Sequence, residues 1–91
     1  MTAIEAVAKE LRMRPNELIN ESLRAYLERR LANIESQLFT ISRKYGVKDV
    51  FELDAKIKDG FVHEQEAYED YFALDNLEAE REKIKTFIQE L

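Results

Sequence analysis

The uninterrupted stretch from Pro15 to Tyr45 constrains the fold more than any other feature of this sequence. Apolar side chains recur along it at alternating spacings of four and three residues: Leu27, Leu31, Ile34, Leu38, Ile41 and Tyr45. This repeat is typical of the seam of an amphipathic helix, whereas a strand alternates every second residue. Gly46 follows at once, where a left-handed helix C-cap is expected. The stretch therefore predicts one helix of about 45 Å, at roughly 1.5 Å per residue, that must bury its seam against a partner.

Local signals predict three further helices. Thr2 and Glu5 fit a capping box that opens a short helix ending near Leu11. A second capping box, at Asp49–Glu52, opens a short helix to about Asp59, with Gly60 as its C-cap. The last helix is expected from about Glu64 to Leu91.

The last helix carries a seam that is compatible with that of the long helix. Its members are spaced three and four residues apart: Leu74, Leu77, Arg81, Ile84, Ile88 and Leu91. Arg81 stands at an apolar position. Either its guanidinium extends to solvent along the seam, or it forms a buried ion pair with Glu28 or Glu35.

The two seams and the composition predict an all-α fold of one domain. The chain has 91 residues with only two Gly and one Pro, which favours long helices. We expect an antiparallel hairpin of two long helices joined by a short helix, with a short N-terminal helix packed on its base. Residues 1–91 form the domain, with a helix pair over residues 1–31 and the long hairpin over residues 32–91.

The first half of the long helix shows a wider apolar face than one hairpin partner would cover. This predicts a homodimer or larger assembly, because a small helical chain buries little surface alone. The expected interface residues are Leu18, Ile19, Leu23, Leu27, Leu31 and Ile34. Phe39 lies outside the seam, and we expect a neighbouring element to cover it.

Residue types that carry catalysis or bind metals are sparse. The chain has no Cys and one His, His63, which with Glu66 and Asp70 forms a weak metal-ligand pattern at the start of the last helix. No Glu-x-x-His pair, Gly-rich phosphate loop or nucleophile–base set accompanies it. We therefore predict a protein that is not an enzyme, with no catalytic residues, cofactor or metal. The sequence shows no membrane span or signal peptide, so we expect a cytoplasmic protein.

Charge is distributed unevenly along the chain. Residues 1–45 carry eight basic and six acidic side chains, a net +2, whereas residues 63–91 carry three basic and nine acidic ones, a net −6. Aromatic and acidic side chains alternate near the start of the last helix: Glu66, Tyr68, Asp70, Tyr71 and Phe72. These aromatic residues belong either to the core or to a surface that binds a basic partner.

Residues 6–28, AVAKELRMRPNELINESLRAYLE, resemble the two-helix part of ribbon-helix-helix proteins. The matching residues are Leu11, Met13, Glu17, Leu18, Leu23, Tyr26 and Leu27. The rest of the chain looks similar to small prokaryotic antitoxin components of toxin–antitoxin pairs, through Tyr45, Gly46, Phe51, Gly60 and the run from Tyr68 to Phe72.

The first resemblance implies a helical dimer and a phosphate contact by Arg12, Arg14 and Asn16. The DNA-reading strand of that family precedes its first helix, whereas Met1 and Thr2 alone precede the helix here. We therefore expect weak, salt-dependent DNA binding or none, unless the native start lies upstream.

Together these features predict a noncatalytic, antitoxin-like protein that neutralises a partner toxin by direct contact. The last helix is expected to supply most of that contact. The alternatives are a structural helical oligomerisation module and a DNA-binding transcriptional regulator.

Overall fold

Four helices form the chain, and the described backbone contains no strand. The computed structural model describes residues 1–91 apart from the side chain of Glu64. The helices are α1 (Ala3–Glu10), α2 (Pro15–Tyr45), α3 (Val50–Lys58) and α4 (Glu64–Glu90). The predicted all-α class is confirmed, as is the order of the helices along the chain: short, long, short and long.

The helix ends follow the local signals of the sequence. Thr2 and Glu5 form the reciprocal capping box of α1. Gly46 ends α2 with φ 67°, a left-handed conformation that costs glycine little because it has no Cβ. The Asp49 carboxylate accepts a hydrogen bond from the backbone N–H of Glu52 at 2.9 Å, which caps α3.

The core lies between α2 and α4 and is closed at one end by α3. The buried residues contributed by the three helices and by Val47 are Ile34, Leu38, Val47, Val50, Leu53, Ile57, Ala67, Leu74 and Ile84. Every residue of the predicted α2 seam is either in this cluster or packed against it. The hydrophobic effect therefore holds α2 and α4 together as the predicted hairpin.

Two ion pairs show that α2 and α4 are antiparallel. Lys44, near the end of α2, contacts Glu66 near the start of α4, and Arg30 of α2 contacts Glu80 further along α4. In both pairs the residue numbers add to 110. This constant register places the C-terminal end of α4 opposite the first half of α2.

One expectation about a side chain needs correction, and the two alternatives for Arg81 can be separated. Phe39 is 64% exposed, so no neighbouring element covers it. Arg81 does not pair with Glu28 or Glu35; its nearest carboxylate is that of Glu82, with Nε and Oε1 3.5 Å apart. The Arg81 side chain keeps 32% of its surface exposed, which matches the alternative in which its guanidinium extends to solvent along the seam.

The molecule is a rod of 60 × 20 × 17 Å. The α1 helix packs on the first part of α2, and α3 packs on α4 at the other end. Among the described residues, no helix combines the length and the apolar character needed to cross a membrane.

Candidate protein-binding surfaces

An apolar groove lies between α1 and the start of α2. It has a volume of about 420 Å³, and its lining comprises Ala3, Ile4, Val7, Leu18, Ile19, Ser22 and Leu23. Ser22 supplies the only polar side chain of this set. The groove can therefore bind an apolar surface but offers almost nothing to a polar or charged ligand.

The structure divides the predicted interface residues into three groups, the third of which is Ile34 alone. Leu18, Ile19 and Leu23 line the groove. Leu27 and Leu31 pack against the core of the chain itself.

Ile34 is buried in the core of the chain itself. It is 2% exposed, and it could contact another subunit only if the α2–α4 core opened.

Residues of α1 extend this apolar region beyond those named from the sequence. Ile4, Val7 and Leu11 are all exposed, and Ala8 is the only buried residue of the helix. Their spacing of three and four residues places them on one face of the helix. The structure shows that α2 covers only part of that face.

A polar cluster joins the end of α2 to the start of α4. The Lys44 Nζ lies 2.5 Å from Glu66 Oε1 and 2.9 Å from Asp70 Oδ2. The Tyr45 hydroxyl donates a hydrogen bond to the same Asp70 oxygen. The Lys56 Nζ donates to the Tyr45 carbonyl oxygen at 2.6 Å, so α3 is tied to the same place.

The protonation of this cluster follows from these contacts. The hydrogen bond from Tyr45, together with Lys44, lowers the pKa of Asp70 against the opposing effect of its partial burial. Hydrogen bonds to Glu66 and Asp70 raise the pKa of Lys44. Burial, followed by the bond to Asp70, raises the pKa of Tyr45. The cluster is therefore an ion pair with a neutral phenol at neutral pH.

This pairing changes the roles open to the acidic residues predicted from the sequence. Glu66 and Asp70 are engaged with Lys44 inside the chain, so a partner would have to compete for them. Within the described residues, no group of three or more His, Asp or Glu side chains is placed to hold a metal ion.

The three aromatic residues of the predicted partner site have different environments. Tyr71 is half-buried and packs against the core. Its ring meets Phe72 edge to face, with centroids 5.4 Å apart. Phe72 is 60% exposed and Tyr68 is 41% exposed. Tyr71 thus serves the core, whereas Tyr68 and Phe72 are open to solvent.

Tyr68 and Phe72 share one face of α4, because residues four apart are neighbours on a helix. Phe72 precedes the seam residue Leu77 by five positions, which is about 140° around the helix at roughly 100° per residue. The surface formed by Tyr68 and Phe72, named here the α4 aromatic face, therefore points away from α2. Two more exposed aromatic residues, Phe51 at 80% and Phe61 at 78%, lie at the same end of the rod.

The residues predicted to contact phosphate surround the start of α2. Arg14 is its N-cap residue but makes no capping hydrogen bond with its side chain. Its Nε instead lies 2.5 Å from Glu17 Oε1. The Asn16 side chain accepts from the backbone N–H of Glu17 at 3.1 Å. The Glu17 carboxylate opposes phosphate binding at this helix end, because it already neutralises the positive charge of Arg14 and of the helix N-terminus.

Arg12 has an unusual backbone conformation in the α1–α2 turn. Its φ is 58°, the left-handed region that L-residues rarely adopt. The turn begins at the C-cap residue Leu11, directly before Arg12. A glycine would fit this place with less strain.

Comparison with known proteins identifies a family. A family model described as the Uncharacterized protein MJ0235 family matches residues 1–91. The Uncharacterized protein MJ0235 of Methanocaldococcus jannaschii is 31% identical over 74 residues, which span 81% of this chain and 89% of that protein. No solved structure matches the chain. The resemblance to ribbon-helix-helix proteins and antitoxins stays a prediction.

Proposed function

We propose that this chain, which belongs to the MJ0235 family, is a noncatalytic protein-binding component that neutralises a toxin by direct contact, as an antitoxin does. The observation that carries the proposal is the α4 aromatic face. Phe72 and Tyr68 are large apolar rings held at the surface of a regular helix, with their backbone already ordered. Aromatic side chains of this kind often supply most of the energy at protein interfaces.

The negative charge of α4 indicates the class of partner. The α4 segment from residue 63 to residue 91 carries a net −6. A protein that binds RNA or DNA needs a basic surface, because its substrate is a polyanion. An acidic helix with aromatic anchors can attract such a surface at long range and then exclude water from it.

The rigid support of the face favours binding without a folding step. Tyr71, next to Phe72, packs against the core, and Leu74 on the same helix is 1% exposed. The cluster of Lys44, Tyr45 and Asp70 holds the start of α4 against α2. Such a preorganised surface loses little conformational entropy on binding.

The geometry gives less support to the DNA-binding alternative. Arg14 is paired with Glu17, and the Glu17 carboxylate lies in the first turn of α2. Weak, salt-dependent binding to DNA, or none, therefore remains the expectation for this chain.

The test uses the protein encoded by the gene adjacent to that of this chain, and the two proteins are co-expressed and co-purified. A Phe72→Ala substitution is expected to weaken the complex at least about tenfold, the effect of a hot-spot residue worth more than about 1.4 kcal/mol. Helicity by circular dichroism should be unchanged, because the Phe72 side chain is mostly exposed.

Phe39→Ala is the matched control. Phe39 is 64% exposed against 60% for Phe72, but it lies on α2. The Phe39→Ala substitution should leave the complex intact. If both variants bind equally well, or if the adjacent protein never binds, the α4 aromatic face is not a toxin-binding surface.

A further inference from the structure

We propose that the groove between α1 and α2 is a self-association site, and that its occupant is the same edge of a second copy of this chain. Ile4 and Val7 form one wall, and Ile19 and Leu23 form the other. In a two-fold arrangement each copy presents the same apolar edge to the groove of its partner. The inference does not depend on what the α4 aromatic face binds.

The incomplete burial of α1 supports this occupant. An isolated helix of eight residues is unstable in water, and most of its stability must come from packing. Yet Ile4 is 42% exposed, Val7 48% and Leu11 58%. A second copy that covers this edge would bury the surface that α2 leaves open.

Charge favours a second copy over a strongly charged partner. Residues 1–24 carry four basic and four acidic side chains, so their net charge is zero, although the whole chain carries −5. Two copies can meet here without repulsion, whereas a contact between their α4 helices would bring two −6 segments together. Mixed charges around an apolar groove also permit complementary pairs across a two-fold axis.

The shape of the rod determines how the copies overlap. The rod is 60 Å long and only about 20 × 17 Å across. A stable interface buries about 800 Å² on each partner, and a contact along the side of a rod buries more surface than a contact between its ends. We therefore place the copies side by side along α1 and the first half of α2. The end of each rod that contains α3 and the start of α4, including Phe72, then remains free at the outside of the dimer.

Sedimentation of the chain alone, from low to high micromolar concentration, tests the assembly. The wild-type chain should sediment as a dimer of its 10.8 kDa subunit. Ile19→Glu should sediment as a monomer that keeps its helical circular dichroism, because a carboxylate in an apolar interface is strongly unfavourable. Phe39→Glu adds the same charge on the same helix outside the groove and should remain dimeric. A monomeric wild type, or dissociation by Phe39→Glu alone, would overturn the proposal.

Spin labels give a second readout that does not require the dimer to be broken. The chain has no Cys, so single-cysteine variants can be labelled specifically. Labels at Asn20→Cys should give an inter-copy distance well below the 60 Å length of the rod, and labels at Asp59→Cys a longer one. The opposite order would place the contact at the α3–α4 end and refute the proposed site.

Native mass spectrometry of the purified chain decides between a second copy and a small apolar ligand. The expected species is a dimer without added mass. A monomer carrying a small apolar molecule would show that the groove is a ligand site instead. Phe72→Ala should leave the dimer unchanged, so loss of toxin binding and loss of self-association are separate outcomes.

Discussion

Tyr45→Phe is expected to destabilise the chain by removing one hydroxyl from the junction between α2 and α4. That hydroxyl donates to Asp70, which is ionised at neutral pH and has a side chain only 25% exposed. A hydrogen bond to a charged group contributes about 1.5–3 kcal/mol, and partial exposure reduces this to about 1–2 kcal/mol. For a domain of this size, each kcal/mol corresponds to about 4–8 °C in Tm.

The effect should depend on pH in a defined direction. Because the Tyr45 hydroxyl favours the ionised carboxylate, the pKa of Asp70 is below its ordinary value of 3.8. The stabilisation is therefore present above pH 3.8 and is lost as pH falls through the lower pKa of the folded state. Burial raises the pKa of Glu78, which acts in the opposite direction. The difference between variant and wild type isolates the Asp70 contribution, since Glu78 is common to both.

The assay is urea unfolding at pH 7 and at pH 3, followed by circular dichroism at one protein concentration. A fixed concentration is needed because dimerisation would add its own stabilisation. Tyr68→Phe is the matched control, since it removes the same hydroxyl from a 41% exposed ring. Equal stability of Tyr45→Phe and wild type at pH 7, or a difference that grows at pH 3, would refute the reasoning.

Three further substitutions and one binding measurement test other parts of the structure. Arg12→Gly should raise the free energy of unfolding by about 1 kcal/mol, because it relieves a left-handed L-residue; no gain in the urea midpoint would contradict the strain. Leu53→Ala should cost about 2–5 kcal/mol, since Leu53 is fully buried, and a loss below 1 kcal/mol would argue against tight packing of α3. Asp49→Ala should cost about 0.5–2 kcal/mol through the lost α3 cap, measured as a shift in Tm. Titration with promoter DNA should show either no binding or weak affinity that falls steeply with salt, and tight sequence-selective binding would contradict the proposed role.

The sequence alone determined the helices and the pairing of their seams. Thr2, Asp49 and Gly46 mark helix ends through hydrogen bonds and backbone conformations that involve only nearby residues. The alternating spacing from Leu27 to Tyr45 requires a long helix with one buried edge, whatever covers it. These features are local, so they can be predicted without knowing the tertiary structure. The helix ends of the structure differ from these expectations by one residue at most; α3, for example, has Asp59 as its C-cap and Gly60 just beyond.

The tertiary structure decided which apolar residues remain exposed. Tyr71 and Phe72 are consecutive, yet about 100° around α4 separates a ring packed on the core from a ring open to solvent. Phe39 was expected to be covered and is not, whereas Ile34 was assigned to an interface and belongs to the core.

The pairing of Lys44 with Asp70 likewise joins residues that are far apart in the chain. Exposure and ion pairing depend on where neighbouring helices lie, and that is set by the simultaneous packing of all of them rather than by the spacing within any one.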